Sequence, residues 1–513
     1  MAATWLKDAV FYEIYPQSIY DTNADGIGDF NGITEKLDYI KDLGCNALWI
    51  NPCFDSPFKD AGYDVRDYKK AAPRYGTNND LYRLFHEAHV RGIHVVLDLV
   101  AGHTSEEHAW FKESCKAEKN EYSDRYIWTD FWIRGAGGLP YIAGEAERNG
   151  AYVLNFFKCQ PALNYGFLNP TESWQKGIDS PEALATREAL KDVMRFWLDH
   201  GCDGFRVDMA ASLVKNDDEN HSGTCAIWKD IRGMLDQDYP ESVLISEWCS
   251  PTEALPAGFD MDFYLDQPWN GYHTLLRDYL SGSDRSYFKK DADSDIHRFL
   301  SQYQDWYDRT RGQGYISLIT CNHDTFRPRY NLDEQELKLA YAFIFTMPGV
   351  PFLYYGDEIG MRYLELPTKE GGYIRTGSRT PMQWKAGANL GFSEGCADSL
   401  YLPVDPSEDA PTVEAQEKDP RSLLNTVKAL LALRAAYEDL QADGDFEVLA
   451  AGKDEPFVYR RGRMYLAVNP SGKTLKAAVR PEGRHVIYAI GGCEASEDTI
   501  VMAPQSFAIL EKA

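Results

Sequence analysis

Three carboxylates stand at the ends of strand-like runs. They are Asp208 in Gly204-Phe205-Arg206-Val207-Asp208, Glu247 in Leu244-Ile245-Ser246-Glu247-Trp248, and Asp324 in Asn322-His323-Asp324. Val243 to Ile245 leads into the second acid and Ile316 to Ile319 into the third. Acids that end separate strands, far apart in sequence, fit one site at the rim of a parallel barrel. Three acids in one cleft are the equipment for cutting a glycosidic bond through a covalent intermediate.

The elements that must carry them follow from the apolar pattern. Strand-like runs occur at Val10 to Tyr15, Ala47 to Asn51, His94 to Val100, Gly204 to Val207, Val243 to Ser246, Met261 to Leu265, Ile316 to Thr320 and Pro351 to Tyr355. Amphipathic helical stretches fall between most of them, among them Ile33 to Leu43, Asn79 to Arg91 and Arg187 to His200. That alternation predicts an α/β fold, a (β/α)8 TIM barrel. A doubly wound open sheet is the alternative. The third and fourth runs are too far apart for one connection, so the stretch between them reads as an inserted domain walling the cleft. Gly371 to Lys418 is irregular, and a helix at Leu423 to Leu440 is expected to close the barrel. Phe446 to Leu510 alternates in short segments between Gly and Pro turns, which predicts a C-terminal antiparallel β-sandwich. The expected division is barrel at 1–103 and 171–441, insert at 104–170 and C-terminal domain at 442–513.

The 513 residues carry a net charge of −26, which argues against nonspecific binding to nucleic acid or anionic membranes. No apolar stretch is long enough to span a bilayer. The start, Met1-Ala2-Ala3-Thr4-Trp5-Leu6-Lys7-Asp8, has no basic region followed by an apolar core. The cysteines form no Cys-x-x-Cys pair and read as reduced core residues. A cytoplasmic protein with a small-molecule substrate is expected; the oligomeric state is left open.

Four further blocks appear in order: Asp25-Gly26-Ile27-Gly28-Asp29-Phe30-Asn31-Gly32-Ile33, Gly62-Tyr63-Asp64-Val65, Gly349-Val350-Pro351-Phe352-Leu353-Tyr354-Tyr355-Gly356-Asp357-Glu358 and Arg379-Thr380-Pro381-Met382-Gln383-Trp384. Together with the three acids they resemble glycoside hydrolase family 13, the α-amylase family, over almost the whole chain. The branch most resembled is that of oligo-1,6-glucosidase, dextran glucosidase and α-glucosidase.

The resemblance implies roles. Asp208 is the nucleophile. Arg206, two residues earlier on the same strand, faces the same way and is expected to keep that carboxylate ionised and lower its pKa. Glu247 is the acid/base, which must start protonated, with Trp248 as apolar cover. Asp324 binds sugar hydroxyls and helps distort the ring. His323 and His103 donate to hydroxyls, for which neutral imidazole suffices. Asp98 supports the site from below. Tyr63 is the platform under the sugar, its flat face suiting the C–H face of a pyranose. Asp60 and Arg379 match a pair that holds the terminal 4-hydroxyl and closes the pocket, which favours release of single glucose units. Asp21, Asn23, Asp25, Ile27 (through its carbonyl) and Asp29 match a structural Ca2+ loop, oxygen donors at alternate positions being what a hard cation takes. No organic cofactor is implied.

Some positions depart from the pattern. Gly102 replaces the usual Asn before His103 and Ala162 the usual Asp, so a second calcium site between barrel and insert is not implied. Met209 follows the nucleophile where Val or Thr usually signals linkage, and linkage stays unread. The leading expectation is a retaining exo-α-glucosidase on short oligosaccharides. The alternatives are a transglycosylase or isomerase acting on a disaccharide such as sucrose, and an endo-acting amylase; a non-enzymatic binding member of the fold is disfavoured by the three acids.

Overall fold

Each of the eight runs forms a strand in the computed structural model, which describes residues 3–278, 282–371 and 374–512. They are β1 (Phe11–Ile14), β2 (Ala47–Ile50), β3 (His94–Val100), β4 (Gly204–Asp208), β5 (Val243–Ser246), β6 (Met261–Phe263), β7 (Tyr315–Ser317) and β8 (Phe352–Tyr354). All pair in parallel, in the order β7-β6-β5-β4-β3-β2-β1-β8. A parallel bridge from Ile319, just past β7, to Phe352 of β8 joins the two edges. The sheet therefore closes as a TIM barrel rather than opening as a doubly wound sheet. β1, β2, β4 and β5 are buried along their whole length, because helices cover the outer face and side chains fill the inside.

The helices α1 (Phe30–Leu43), α2 (Asn78–Val90), α3 (Pro181–Asp199), α4 (Ser222–Asp238), α5 (His297–Thr310), α6 (Glu334–Thr346) and α7 (Leu423–Ala436) lie between or after the strands. In α1 the Asp29 carboxylate caps the start by accepting from Gly32 N, and Gly44 at φ 102° ends it. Phe30, Ile33, Leu37 and Ile40 are its buried face, at helical spacing, and each such side chain contributes about 1.5–3 kcal/mol of burial. α3 begins six residues before the expected start, because Ser180 caps it and Pro181 occupies the first turn. The closing helix is shorter than expected: Tyr437 (φ −122°, ψ 111°) leaves helical geometry, and a 3-10 turn follows over Glu438–Leu440.

Between β3 and β4 the chain forms a small antiparallel ribbon, Tyr141–Ala143 with Ala151–Val153. A separate apolar cluster of Ile127, Ala136, Val153, Ala162, Phe167 and Trp174 holds it together. It is tied to the barrel rim by Leu163 N donating to Gly102 O at 3.1 Å and by a His103–Ala162 bridge.

From Glu447 onward the chain forms a five-stranded antiparallel sheet and a three-stranded one. The strand period of two sorts its side chains. Phe457, Tyr459, Leu466, Val468, Phe507 and Ile509 join the main core, whereas Val458, Tyr465, Ala467, Ala508 and Leu510 pack with Ile500 and Met502 of the smaller sheet. The junction with the barrel uses two buried arginines. Arg434 donates to Phe345 O, Met347 O and Gly349 O; Arg461 donates to Thr346 O and Gln441 O. Between them they satisfy Phe345 O, Thr346 O and Met347 O at the C-terminus of α6, together with Gly349 O and Gln441 O nearby.

The ten cysteines form no disulfide. Cys45, Cys53, Cys202, Cys249 and Cys321 are core residues as expected, but Cys396 is exposed and the rest are half-buried. Among the described residues no helix is long and apolar enough to cross a membrane.

Candidate active site

β3, β4 and β5 lie side by side and converge on one guanidinium. Arg206, fully buried in β4, contacts Asp98 Oδ1 at 2.8 Å, Asp208 Oδ1 at 3.1 Å and Glu247 Oε2 at 2.8 Å. One cation thus serves three carboxylates. Arg206 does act to lower the pKa of Asp208, as expected, but the net shift is the reverse of the expected one: the carboxyl is pushed well above its usual range. Burial is the largest cause and the Glu247 charge the next; Arg206 opposes both and does not cancel them. The pair is no surface ion pair either, since Arg206 is 1% and Asp208 8% exposed.

Glu247 follows β5 and is held by the backbone around it. Its Oε2 accepts from Met209 N at 2.9 Å. Met209 sits at φ 44°, ψ 46°, a left-handed conformation that costs about 1–3 kcal/mol for a non-glycine residue. That strain turns its amide toward Glu247. Asp262 in β6 braces the segment after Glu247, accepting from Trp248 N (3.2 Å), Cys249 N (3.3 Å) and Ser250 N (2.8 Å). The Trp248 indole packs edge-on against His221 and Phe259.

Asp98 lies beneath the site. It accepts from Trp49 Nε1 at 3.1 Å, and Tyr63 OH stands 3.1 Å from the same oxygen. Burial raises its pKa to about 6 against the pull of Arg206. Tyr63 OH lies 2.6 Å from His323 Nε2, and the two rings stack at 5.5 Å. His323 Nδ1 lies 2.9 Å from Glu13 Oε1 of β1. Burial holds His323 well below the usual imidazole range and His103 down at about 3, so both are neutral. His103 Nε2 lies 3.1 Å from Tyr63 O and its Nδ1 3.1 Å from Asn155 Nδ2.

Asp60 and Arg379 do not pair with each other. Asp60 is bound by Arg375 and by Gln160 Nε2 at 2.6 Å. Arg379 instead reaches Asp324 Oδ1 at 2.6 Å and donates through Nε to His323 O at 2.9 Å. Arg375 Nη1 is 3.0 Å from the same Asp324 oxygen. A 3-10 turn at Thr376–Ser378 separates the two arginines; both reach Asp324, and Arg375 reaches Asp60 as well. Arg375 therefore links Asp60 to Asp324. A Cβ on Gly371 would come within 2.4 Å of Arg375 Nη2 and 2.9 Å of Asp60 Oδ1, so only glycine lets the backbone cover that pair.

The departures at Gly102 and Ala162 have a structural counterpart. A Cβ on Gly102 would stand 2.7 Å from Asn155 Nδ2; the Asn155 amide fills that space. Lys215 Nζ donates to Asn155 Oδ1 at 2.9 Å and to Ser212 O at 2.6 Å. Burial lowers this ammonium to about 8.

In the loop from Asp21 to Asp29, Asp21 accepts from Ala24 N, Gly26 N (both 2.8 Å) and Ser393 Oγ (2.6 Å). Asn23 and Asp25 each accept from the amide two residues on, and Asp29 is tied to Thr22 and Gly32. Among the described residues no three His, Cys, Asp or Glu side chains are grouped as metal ligands. The donors here are all oxygens with acceptor capacity to spare, a set that fits a hard cation.

Sequence reasoning passed over Glu13, Asp262 and Arg375. A lone acid inside an apolar strand run was the available signal for the first two. Arg375 sits four residues before Arg379 in Ile374-Arg375-Thr376-Gly377-Ser378-Arg379, and no pattern told the two apart.

Acids at the rim of a closed parallel barrel, gathered around buried arginines, are the frame of a glycoside hydrolase. The family model for "Alpha amylase, catalytic domain" matches residues 13–443. The chain is 34% identical to the trehalose synthase/amylase TreS of Mycolicibacterium smegmatis, covering 89% of this chain and 80% of that protein. It is 33% identical to the probable oligo-1,6-glucosidase 2 of Bacillus subtilis, covering 90% and 89%. The trehalulose synthase MutB of Pseudomonas mesoacidophila superposes with a TM-score of 0.81 at 26% identity, over 100% of both chains. The chain belongs to the α-amylase family of glycoside hydrolases.

Proposed function

We propose that this protein is a retaining, exo-acting α-glucosidase that hydrolyses short α-glucosides. What supports the exo reading is the Asp60–Arg375–Asp324 bridge beside the acids, taken here as the closed end of the pocket although the partner of Asp60 is not the expected Arg379. A chain cannot thread through such an end, so a non-reducing terminal glucose fills it. Asp208 attacks C1 while Glu247 gives its proton to the departing glycosidic oxygen. Glu247 then takes a proton from water as that water attacks C1 and frees Asp208. Tyr63 supports the sugar and Asp324 and Arg379 hold its hydroxyls, while His323 and His103, expected to donate to hydroxyls, instead have both ring nitrogens engaged by protein groups and frame the site. Residues 104–170 wall the leaving-group side.

A second reading uses the same covalent intermediate with a sugar as acceptor, giving transglycosylation or isomerisation of a disaccharide. The similarity to TreS and the superposition on a trehalulose synthase favour it. Proton NMR of maltose, isomaltose, maltoheptaose, sucrose and trehalose from the first minutes separates the two. Free α-glucose from short substrates, absent with Asp208→Asn, is the expected result. New disaccharides select the second reading, and mid-chain cleavage of maltoheptaose alone refutes the closed pocket.

The Asp21–Asp29 loop is proposed to hold a structural Ca2+. Chelator should then lower the melting temperature of metal-replete protein, and an unchanged melt with no bound divalent ion rejects it.

A further inference from the structure

Glu13 points into the barrel from the middle of β1 and is fully buried. Only one of its oxygens is used. Oε1 accepts from Asn51 Nδ2 at 3.1 Å and lies 2.9 Å from His323 Nδ1, with Asn51 Nδ2 farther from that nitrogen at 3.2 Å; among the described residues Oε2 has no hydrogen-bond partner. Burial drives this carboxyl well above its usual pKa range. An apolar residue would avoid the cost of burying an idle polar atom, so the use of Glu13 lies in what Oε1 holds.

The two sides of the His323 ring differ in length. Hydroxyl donors make the shorter hydrogen bonds, and N–H···O bonds cluster near 2.9–3.0 Å. The 2.6 Å contact at Nε2 fits Tyr63 O–H donating to a bare nitrogen, and the 2.9 Å contact at Nδ1 fits N–H donating to Glu13. We propose that Glu13 is a positioning residue that holds His323 as the Nδ1–H tautomer, so that bare Nε2 takes the Tyr63 hydroxyl proton. The phenol, with one proton to give, then leaves Asp98 to Arg206 and Trp49. Asp98 keeps its pull on Arg206, and Arg206 stays aligned with Asp208 and Glu247. Were the ring proton on Nε2, the phenol would turn its own proton to Asp98 and weaken that pull. A carboxyl that fixes the tautomer of a working histidine is a recurrent device.

The rate arm of the test rests on Asp208 and Glu247 being the reacting pair; the spectroscopic arm does not. Protein labelled with 15N-histidine is measured by two-bond proton–nitrogen correlation, His323 being assigned with His323→Gln. Nδ1–H is expected in the wild type and in Glu13→Gln, whose amide oxygen still accepts. Nε2–H in the wild type overturns the proposal, whatever the activity. In Glu13→Leu the Nε2–H form should appear and kcat fall about 30-fold, more than KM rises, with Glu13→Gln within about threefold of wild type. Equal kcat in the two variants also overturns it. If Glu13→Leu does not fold, the wild-type spectrum still decides. A wild type without glucosidase activity sinks the functional reading and leaves the tautomer testable.

Discussion

Arg206 is the residue on which the acid cluster depends. It opposes burial and the Glu247 charge at Asp208, and all three contacts pass through one planar fork. A lysine offers a point charge in place of that fork. Arg206→Lys should lower kcat/KM by about 10²-fold or more, as loss of an aimed charge contact does. In the proposed mechanism Asp208 works ionised, and Arg206 is the charge that opposes the rise of its pKa. The acid limb of the pH–rate profile should therefore move to higher pH in the variant. An unmoved limb would mean that Arg206 does not act on Asp208.

The loop after β8 and the insert after β3 both place side chains beside the acids. In the loop, Arg375 bridges Asp60 and Asp324. Arg375→Ala should lower kcat/KM on maltose by about 10–100-fold, as loss of a charged positioning contact does. The relative rate on maltoheptaose should rise, and product profiles by chromatography check both. Against the insert, Lys215 from the loop after β4 ties Ser212 to Asn155 while its ammonium is lowered to about 8. The unfolded chain binds that proton up to its ordinary pKa near 10.5. Between about pH 8 and 10.5 the unfolded state thus holds more protons, so this group makes stability rise with pH there. Lys215→Met should remove that contribution and flatten the rise. Melts from pH 7.5 to 10.5 give both slopes, and parallel slopes would contradict the burial of the charge.

Barrel and sandwich are one cooperative body only while their junction is satisfied. Arg461 spans it from a strand of the C-terminal sheet, donating to Thr346 O and Gln441 O. Its burial pulls the guanidinium down to about 10. Arg461→Met keeps the apolar stem and leaves the two carbonyls open, at about 2–4 kcal/mol for charge-assisted bonds lost in the interior. Urea unfolding should show that loss, with the sandwich opening first if the junction limits cooperativity. A change below about 0.5 kcal/mol, the usual size for surface substitutions, would mean that other contacts dock the domains.

The sequence alone determined the eight strands, the presence of the helices between them and the three acids, because the periods of strand and helix are local and each acid ends an apolar run; the ends of α3 and α7 were set by Ser180 and by Tyr437. Asp208, Glu247 and Asp324 needed no coordinates to be noticed. Which arginine meets which acid was decided only in three dimensions. Arg375 and Arg379 share a segment, and with a single 3-10 turn between them both meet Asp324, Arg375 reaching Asp60 as well and Arg379 the His323 carbonyl. The direction of the Asp208 shift was likewise hidden. Adjacency to Arg206 is visible in the chain, whereas burial and the facing Glu247 arise from β5 lying against β4. Glu13 reads as one polar letter in an apolar strand until closure of the barrel brings β1 against the residues after β7, and only that closure sets it beside His323.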